Sequence, residues 1–251
     1  CASLFESTIE ESDTLFENHF GEENSPLLNA PNAVRLLDTF LSNEDLNEVW
    51  RSASTLGWIH QFWHLSDKQS LNHQRQIQAE DIPIKTQLFS EQYMVDWLLQ
   101  NTVGRIWLSI CRHNRWDVEV GDTFTTLKRK RRIWKAQSSL DTPLKLDSSL
   151  EQQWGYFVQS EQLQTSPDLC SIRDLKLLDP ACGTGHFLIT AMNMLFTLYK
   201  EEARHRGKEH HPEWSNDAIV QSIAENNLYG LDIDAKVLQV AQCSLTIQAR
   251  Q

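Results

Sequence analysis

Residues 175–188 read LKLLDPACGTGHFL, and this stretch restricts the fold more than any other part of the chain. A short apolar run ends at Asp179, a turn of small residues follows, and an apolar pattern with helical spacing continues through Leu198. A strand, a tight glycine turn and a helix in this order open the α/β folds that bind nucleotide-type ligands. The sequence therefore predicts the first β-α unit of an α/β fold, with a binding turn at Gly183 and Gly185.

The chain as a whole is predicted to consist of three regions. Residues 1–80 form a mainly helical N-terminal region, residues 81–170 a helical region with a basic stretch, and residues 171–251 the α/β part. A second strand is predicted at residues 227–231 and a last helix at 235–248, so this part is expected to order as β-α-(α)-β-α with parallel strands. Because two parallel strands alone make a poorly covered sheet, and because the first residue is Cys1, we expect a piece of a longer protein.

Several helices are predicted upstream from apolar spacing. Residues 44–63 are expected to form one helix that buries Ile59 and Phe62, with further inward positions at Leu46, Val49, Trp50 and Leu56. Residues 81–83 (Asp-Ile-Pro) are expected to end an element. Ser90 is the predicted N-cap of a helix over residues 91–103, and a second helix is predicted around Trp107. The residues of the first of these two helices that we expect to face inward are Tyr93, Met94, Trp97 and Leu98.

Charge is distributed unevenly along the chain. The formal net charge is -11, and residues 1–50 contain 11 acidic residues against Arg35 alone. Residues 112–135 contain 8 basic residues against 3 acidic ones. The densest part of this basic stretch is Lys128, Arg129, Lys130, Arg131 and Arg132. A run of this kind is most often a solvated helix face, but in an enzyme that acts on DNA it is also a candidate contact for phosphates.

Cysteine and histidine spacing argues against a metal centre. The 5 cysteines are scattered and include no CxxC pair, which favours free thiols in a reducing cytosol over a structural zinc site. His60 and His64 are four residues apart, but a metalloprotease helix needs a glutamate where Gln61 stands. No apolar run reaches the length of a membrane span and no signal peptide is visible, so we expect a cytoplasmic protein with no membrane partner.

The spacing around the glycine turn favours one ligand class. Asp179 and Asp232 follow the two predicted strands, where α/β sheets bind ligands and an acidic residue accepts ribose hydroxyls. A dinucleotide site needs a third small residue where Leu188 stands, and a P-loop needs lysine where His186 stands. Acidic strand ends without either pyrophosphate motif suit a cationic, ribose-bearing ligand, which describes S-adenosylmethionine. The alternative is a simple tight turn, and the 53 positions between the two aspartates exceed the usual spacing of about 20.

Three segments together resemble the motifs of amino-group DNA methyltransferases. DPACGTGHFL resembles their first cofactor motif, and NNLYGLDIDAKVLQVAQCSL resembles the second. Upstream, LGWIHQFW and DIPIKTQLFSEQYMVDWLLQNTVGRIW resemble the segment that precedes this domain in large adenine-specific methyltransferases. This order is that of the gamma arrangement, as in PglX-like methyltransferases of BREX phage-exclusion systems and in single-chain restriction–modification enzymes.

The resemblance implies a Rossmann-like domain that uses S-adenosylmethionine to methylate adenine N6 in double-stranded DNA, with other defence-system subunits as possible partners. It also implies a cofactor segment written TxxFTP, for which this chain has Ser90-Glu91 in place of Thr-Pro. The cofactor-binding residues that it implies are Thr86, Phe89, Ser90, Asp179, Ala181, Gly183, Thr184, Gly185, Asp232 and Ile233.

The catalytic motif of that family, Asp/Asn-Pro-Pro-Tyr/Phe, is absent from the sequence, in which no two of the 7 prolines are adjacent. We therefore predict no catalytic residue here. The 251 residues are expected to bind the cofactor weakly or not at all and to transfer no methyl group. A different class stays open: a helical interaction module with a degenerate methyltransferase-like domain that docks in a defence complex.

Overall fold

The computed structural model describes residue 49, residue 52 and residues 54–63, 65–73, 78, 81–86, 90–136, 144–158 and 169–250. The chain divides into two compact units, and each consists of discontinuous stretches. The first contains Cys1–Phe89, Ala181–Ile189 and Asp232–Gln251, and the second contains Ser90–Pro180 and Thr190–Leu231. Val34, Leu37 and Leu41 have helical spacing and predict a further helix over residues 33–41, which lies outside the described residues.

The first unit is helical in its described part. Its elements are α1 (Thr55–Trp63), α2 (Leu65–Asn72), α3 (Ile82–Thr86), the first residues of α7 (His186–His205) and α9 (Ala235–Ala249). The predicted helix over residues 44–63 is not continuous, because Ser52 is non-helical and α1 begins only at Thr55. The Thr55 hydroxyl donates a hydrogen bond to the Val49 carbonyl, which fixes this break. The predicted burial was also wrong at Ile59 and Phe62, which are exposed, as is Val49.

Pro83 was expected to end an element, and this was wrong. It is the second residue of α3. The first turn of a helix has no partners for its backbone N–H groups, so proline is tolerated there without the loss of a hydrogen bond. The Thr86 hydroxyl at the other end of α3 donates to the Ile82 carbonyl at 2.8 Å.

The second unit contains the longer helices and the sheet. Its elements are α4 (Gln92–Asn114), α5 (Asp117–Ala136), α6 (Ser149–Gln153), β1 (Leu177–Asp179), the rest of α7, α8 (Asn216–Ser222) and β2 (Leu228–Gly230). Single 3₁₀ turns lie at Ile172–Asp174 and Pro212–Trp214, and a π-helical turn at Ile223–Asn227 joins α8 to β2. Within the described ranges, every helix falls short of the length or the apolar character that a bilayer-spanning segment needs.

α4 is one helix where two were predicted, and it buries a different face from the expected one. Val95, Leu99, Val103 and Trp107 repeat at every fourth position and are buried. The residues predicted to face inward are exposed, namely Tyr93, Met94, Trp97 and Leu98. Ser90 is not the N-cap, because that position is Glu91, whose side chain makes no capping hydrogen bond. The structure thus buries the apolar stripe that persists over more turns.

Gly104 lies inside α4, next to the point where the sequence predicts the end of the first of two helices. A Cβ atom at Gly104 would lie 2.5 Å from an atom of the Trp154 ring. Trp154 itself is only 1% exposed and meets Phe124 and Phe157 edge-on, and these two phenylalanine rings meet each other in a tilted contact. The glycine therefore lets the indole pack directly on the helix backbone and does not interrupt the helix.

β1 and β2 form a two-stranded parallel sheet, as predicted. Leu177 pairs with Leu228 and Asp179 with Gly230, and the Leu231 N–H extends the ladder by donating to the Asp179 carbonyl at 2.9 Å. The observed order β1, α7, α8, β2, α9 matches the expected order of elements. The predicted strand at residues 227–231 is shorter in the structure, because Asn227 belongs to the π-helical turn.

A buried amide joins the two strands at their starts. Asn227 is fully buried, and its Nδ2 donates to the carbonyls of Ile172 at 3.1 Å and Leu175 at 2.7 Å. Its Oδ1 accepts from the Tyr199 hydroxyl at 2.7 Å. The residue that immediately precedes β2 is thus bonded to the segment that leads into β1 and to the middle of α7.

A buried carboxylate holds the same segment from the other side. Glu202 on α7 is fully buried and accepts from the Ile172 N–H at 2.8 Å. Its other oxygen accepts from Arg206 Nε at 2.7 Å. Because the charge is paired and each carboxylate oxygen is hydrogen-bonded, its burial is tolerated. The segment before β1 is therefore fixed by both a side-chain amide and a side-chain carboxylate.

Two glycines on neighbouring helices allow a matched test of the Trp154 packing. Gly104→Ala should lower the free energy of unfolding by about 2–3 kcal/mol, because the new methyl group meets a buried indole that has no room to move. Gly121→Ala in α5 should raise it by about 0.5–1 kcal/mol, because alanine favours the helix and nothing described lies within 4 Å of the new Cβ. Urea unfolding followed by circular dichroism measures both. Equal effects of the two substitutions would contradict the packing role.

Candidate cofactor site

The turn between β1 and α7 has the backbone that its glycines predict. Gly183 has φ +54° and Gly185 has φ +85°, which is the left-handed region that side-chain-bearing residues rarely adopt. The Gly185 N–H donates to the Cys182 carbonyl at 2.9 Å, and the Gly185 carbonyl accepts from the Ile189 N–H at 2.8 Å. Gly185 therefore closes the turn and begins the hydrogen-bonding pattern of α7.

The two glycines differ in their surroundings. A Cβ atom at Gly185 would lie 3.1 Å from Ala241 Cβ on α9, so the turn rests directly on that helix. At Gly183, no heavy atom of the described residues lies within 4 Å of the Cβ position. Gly185 is thus required by packing within the protein, whereas the side of the turn at Gly183 is open.

Asp232 is bonded directly to this turn. Its Oδ2 accepts from the Gly183 N–H at 2.8 Å, and its Oδ1 accepts from the Asp234 N–H at 3.0 Å. Asp234 in turn is the N-cap of α9 and accepts from the Lys236 N–H at 2.9 Å. Both oxygens of the half-buried Asp232 side chain are therefore oriented by backbone donors, and each keeps acceptor capacity for a ligand.

The neighbouring predicted residues differ in exposure. Ala181 is exposed, Thr184 is 7% exposed, and Ile233 is 77% exposed directly after Asp232. Asp179 is the last residue of β1 and is half-buried. It stands in the second unit, at the carboxyl end of its strand as the sequence predicts, two residues before the turn begins.

The upstream cofactor segment is less complete in the structure. Thr86 ends α3 in the first unit, and its hydroxyl is used within that helix. Ser90 is half-buried just before α4 in the second unit. Phe89 lies outside the described residues. The structure thus brings Gly183, Gly185 and Asp232 together, and the roles of Thr86, Phe89 and Ser90 stay predictions.

Two further residues contact the site and were not predicted. Ala241 on α9 meets Gly185, as described above, and Ser54 lies before α1 with its Oγ 3.5 Å from Nδ1 of His186. His186 is buried at the start of α7, and this burial lowers its pKa below the usual value for histidine. No local motif marks Ser54, because its contact spans 132 positions of the chain.

The predicted basic residues separate into two groups on α5. Lys130 Nζ lies 2.8 Å from Asp147 Oδ2 and 2.5 Å from Glu151 Oε2, and these carboxylates raise the pKa of Lys130. Arg131 donates to the carbonyls of Gly155 at 2.7 Å and Trp154 at 3.3 Å and also to that of Phe157. The remaining three predicted residues are exposed, namely Lys128, Arg129 and Arg132.

Comparisons with known proteins agree with the motifs. Residues 159–251 match the family model described as the DNA-methyltransferase domain of MmeI. The chain is 30% identical over 248 residues to the adenine-specific methyltransferase BrxX of Escherichia coli O9:H4 strain HS, a match that covers 99% of this chain and 17% of that protein. This chain is a homologue of adenine-specific methyltransferases. The resemblance predicted from the sequence is thereby confirmed.

Two other relatives support the same assignment. The adenine-specific methyltransferase PglX of Lacticaseibacillus casei strain Zhang is 29% identical over 201 residues, which is 78% of this chain and 14% of that protein. The type II restriction enzyme and methyltransferase RM.BcgI of Heyndrickxia coagulans is 33% identical over 72 residues, which is 29% of this chain and 9% of that protein. The chain therefore spans less than one fifth of the length of each of these relatives.

The contact between Gly185 and Ala241 generates a stability prediction. Gly185→Ala should lower the free energy of unfolding by about 2–4 kcal/mol, from left-handed backbone strain and from the clash with α9. Gly207→Ala is the matched control, because Gly207 has φ +64° and nothing described within 4 Å of its Cβ position. It should cost only the strain, about 1 kcal/mol. A thermal unfolding series that ranks Gly207→Ala as the more damaging change would contradict this packing.

Proposed function

We propose that this chain is part of an S-adenosylmethionine-dependent adenine N6 DNA methyltransferase of a restriction–modification or phage-defence system, acting in the cytoplasm. In this proposal the 251 residues supply the cofactor-binding half of a Rossmann-like domain. The observation that carries it is the hydrogen bond from the Gly183 N–H to Asp232 Oδ2, at 2.8 Å. It joins the glycine turn after β1 to the acidic residue after β2.

The acceptor chemistry of Asp232 fits the ribose of the cofactor. An ionised carboxylate has about four lone-pair sites, and backbone N–H groups use one on each oxygen. One acceptor site on each oxygen stays available, which matches the two hydroxyls of a ribose. Because Gly183 and Asp234 already hold the carboxylate, it needs little reordering when the ligand binds.

The surroundings of the turn fit the rest of the ligand. The open side at Gly183 allows close approach of a ligand to the backbone, and Ile233 offers an exposed apolar surface next to Asp232 for a flat base. Asp179, at the carboxyl end of β1, supplies a carboxylate for the amino group of the cofactor's methionine part. Ala181, Thr184 and Gly185 complete the turn in this proposal.

None of the 251 residues is assigned a step of methyl transfer. S-adenosylmethionine, when bound, supplies the activated methyl group. The sequence contains no Asp/Asn-Pro-Pro-Tyr/Phe motif that would accept hydrogen bonds from the amino group of a flipped adenine. The part that these residues play is therefore to bind the cofactor and orient it.

The comparisons support the target as well as the cofactor. The relatives BrxX and PglX are named adenine-specific methyltransferases, and RM.BcgI is named as both a restriction enzyme and a methyltransferase. We propose double-stranded DNA as the substrate and other subunits of a defence system as partners.

Asp232 is the first residue to test. Asp232→Asn should lower the affinity for S-adenosylhomocysteine by about 10-fold or more, because a charged acceptor for the ribose hydroxyls is lost. The selective readout is a 2′-deoxyribose analogue of the same ligand. The unsubstituted protein should prefer the ribose form by about 10-fold, and Asp232→Asn should bind both forms almost equally. Isothermal titration calorimetry on a chain that includes these 251 residues measures all four affinities.

Asp234→Asn is the control for Asp232→Asn. It removes the same charge two residues away, and asparagine is as good an N-cap as aspartate. It should leave both the affinity and the preference for ribose unchanged. If the Asp232→Asn variant keeps the preference for the ribose form that the unsubstituted protein shows, Asp232 is not the acceptor for the ribose hydroxyls. A protein that binds neither ligand would favour the helical interaction module instead.

The open side of the turn gives an independent test. Gly183→Ala and Gly207→Ala place a methyl group at the same kind of left-handed position with nothing described within 4 Å. Both should cost about 1 kcal/mol of stability. Only Gly183→Ala should weaken binding of S-adenosylhomocysteine, by about 10-fold, since its methyl group points to where the ligand approaches. If both variants bind the ligand as well as the unsubstituted protein does, Gly183 does not face the cofactor.

A further inference from the structure

The outward face of α5 is strongly cationic. From residue 125 to residue 136 the sequence is TTLKRKRRIWKA, which contains basic residues and no acidic one. Phe124 and Leu127 are buried on the inner side, and Lys130 and Arg131 are bonded to the segment after α5, as described above. The cations that are exposed are Lys128, Arg129, Arg132 and Lys135.

Packing and helix electrostatics do not account for this face. Among the described residues, no carboxylate forms an ion pair with Lys128, Arg129 or Arg132. Lys128 and Arg132 are like charges four positions apart, which destabilises a helix. Only Lys135 lies in the last turn, where a cation favourably meets the helix dipole. The three cations before it therefore lower the stability of α5 without a compensating contact in the described parts of the protein.

The basic residues of α5 divide into two that make contacts within the protein and three that are exposed to solvent. Lys130 and Arg131 hold α5 to residues 147–157 and have little capacity left for another partner. Lys128, Arg129 and Arg132 are exposed, and no described residue forms an ion pair with them. A basic run that only kept the helix soluble would not need two of its members to hold the helix in place. A binding face needs both a helix that is held in place and cations that are exposed to the ligand.

The geometry of the face suits a phosphate backbone. Positions 128 and 132 are one helical turn apart, about 6 Å along the axis, and a DNA strand carries one phosphate for about each 3.4 Å of its own axis. Since the whole chain has a net charge of -11, it would repel DNA unless a local cationic face opposed this. A row of cations without carboxylates among them is complementary in charge to a polyanion whose charges are regularly spaced.

We infer that Lys128, Arg129 and Arg132 on α5 bind the phosphate backbone of double-stranded DNA without reading its sequence. This inference rests on the proposed function for the choice of DNA as the polyanion. It assigns the contact to a helix outside the glycine turn and outside the cofactor-binding residues. Lys130 and Arg131 are excluded from the contact.

Salt dependence of DNA binding tests the inference. The protein is titrated into a fluorescent 25-base-pair duplex at several NaCl concentrations, without cofactor, and the slope of log K against log[NaCl] is measured. The double variant Lys128→Gln with Arg132→Gln should lower the magnitude of that slope by about 1.8, since each phosphate contact contributes about 0.9. Lys145→Gln with Lys208→Gln removes the same charge from two other exposed lysines and should leave the slope unchanged.

The outcomes separate this inference from the proposed function. An unchanged slope in the α5 variant, or an equal fall in both variants, would overturn the assignment of the contact to α5. If the α5 variant lowered the magnitude of the salt slope for single-stranded RNA but not for the DNA duplex, the choice of DNA as the polyanion would be overturned. Binding of S-adenosylhomocysteine should be the same in both variants, and Asp232→Asn should keep the original salt slope. The proposal that Asp232 binds the cofactor and the inference that α5 binds DNA can therefore each be contradicted without affecting the other.

Discussion

The buried amide of Asn227 is the interaction on which the α/β part of this protein depends. Parallel strands have no hairpin to set their register, so the register must come from contacts at their ends. Asn227 immediately precedes β2 and donates to two carbonyls of the segment that leads into β1. A further bond, from the Tyr199 hydroxyl to the Asn227 Oδ1, ties both strand starts to the helix that connects them. An aliphatic side chain there would leave these buried polar groups without a partner, which is costly.

The candidate site lies in the two loops that follow the strands along the chain. Once Leu177 pairs with Leu228, the two strands end at Asp179 and Gly230, and the chain continues from each end into a loop. The loop after β1 is the glycine turn, and the loop after β2 carries Asp232. The bond between Gly183 and Asp232 then links the two loops. The candidate site in the first unit therefore rests on this bond, to which each loop contributes one residue.

The sequence predicts this part of the fold well, because its signals are local. The apolar run before Asp179, the positive-φ glycines and the helical pattern after them each depend on neighbouring residues. The prediction that Asp232 and the glycine turn belong to one ligand site depends on chemistry that is common to nucleotide-type sites. The prediction of S-adenosylmethionine rests further on the resemblance to methyltransferases, since the residues alone also allow a simple turn.

The helical regions were harder to predict because the burial of their residues depends on residues that are distant in the sequence. α4 carries two apolar stripes, and the local sequence does not tell which of them tertiary packing buries. The reason for a glycine at position 104, an indole ring 50 positions away in the chain, is not visible locally. Lys130 and Arg131 also could not be told from their exposed basic neighbours by sequence alone. They differ because they contact the segment after α5, which is distant in the sequence.

The contact between Gly185 and Ala241 also has a consequence for how such proteins are recognised. The glycine turn is usually described as a motif complete in itself. Here the turn reaches its position only if the residue that α9 presents to it is small, so position 241 carries part of the same requirement. Because Ala241 stands nine positions after Asp232, one stretch of chain contains both the proposed ribose acceptor and the support for the turn. A sequence pattern for a turn packed in this way would therefore include a small residue at this distance after the aspartate.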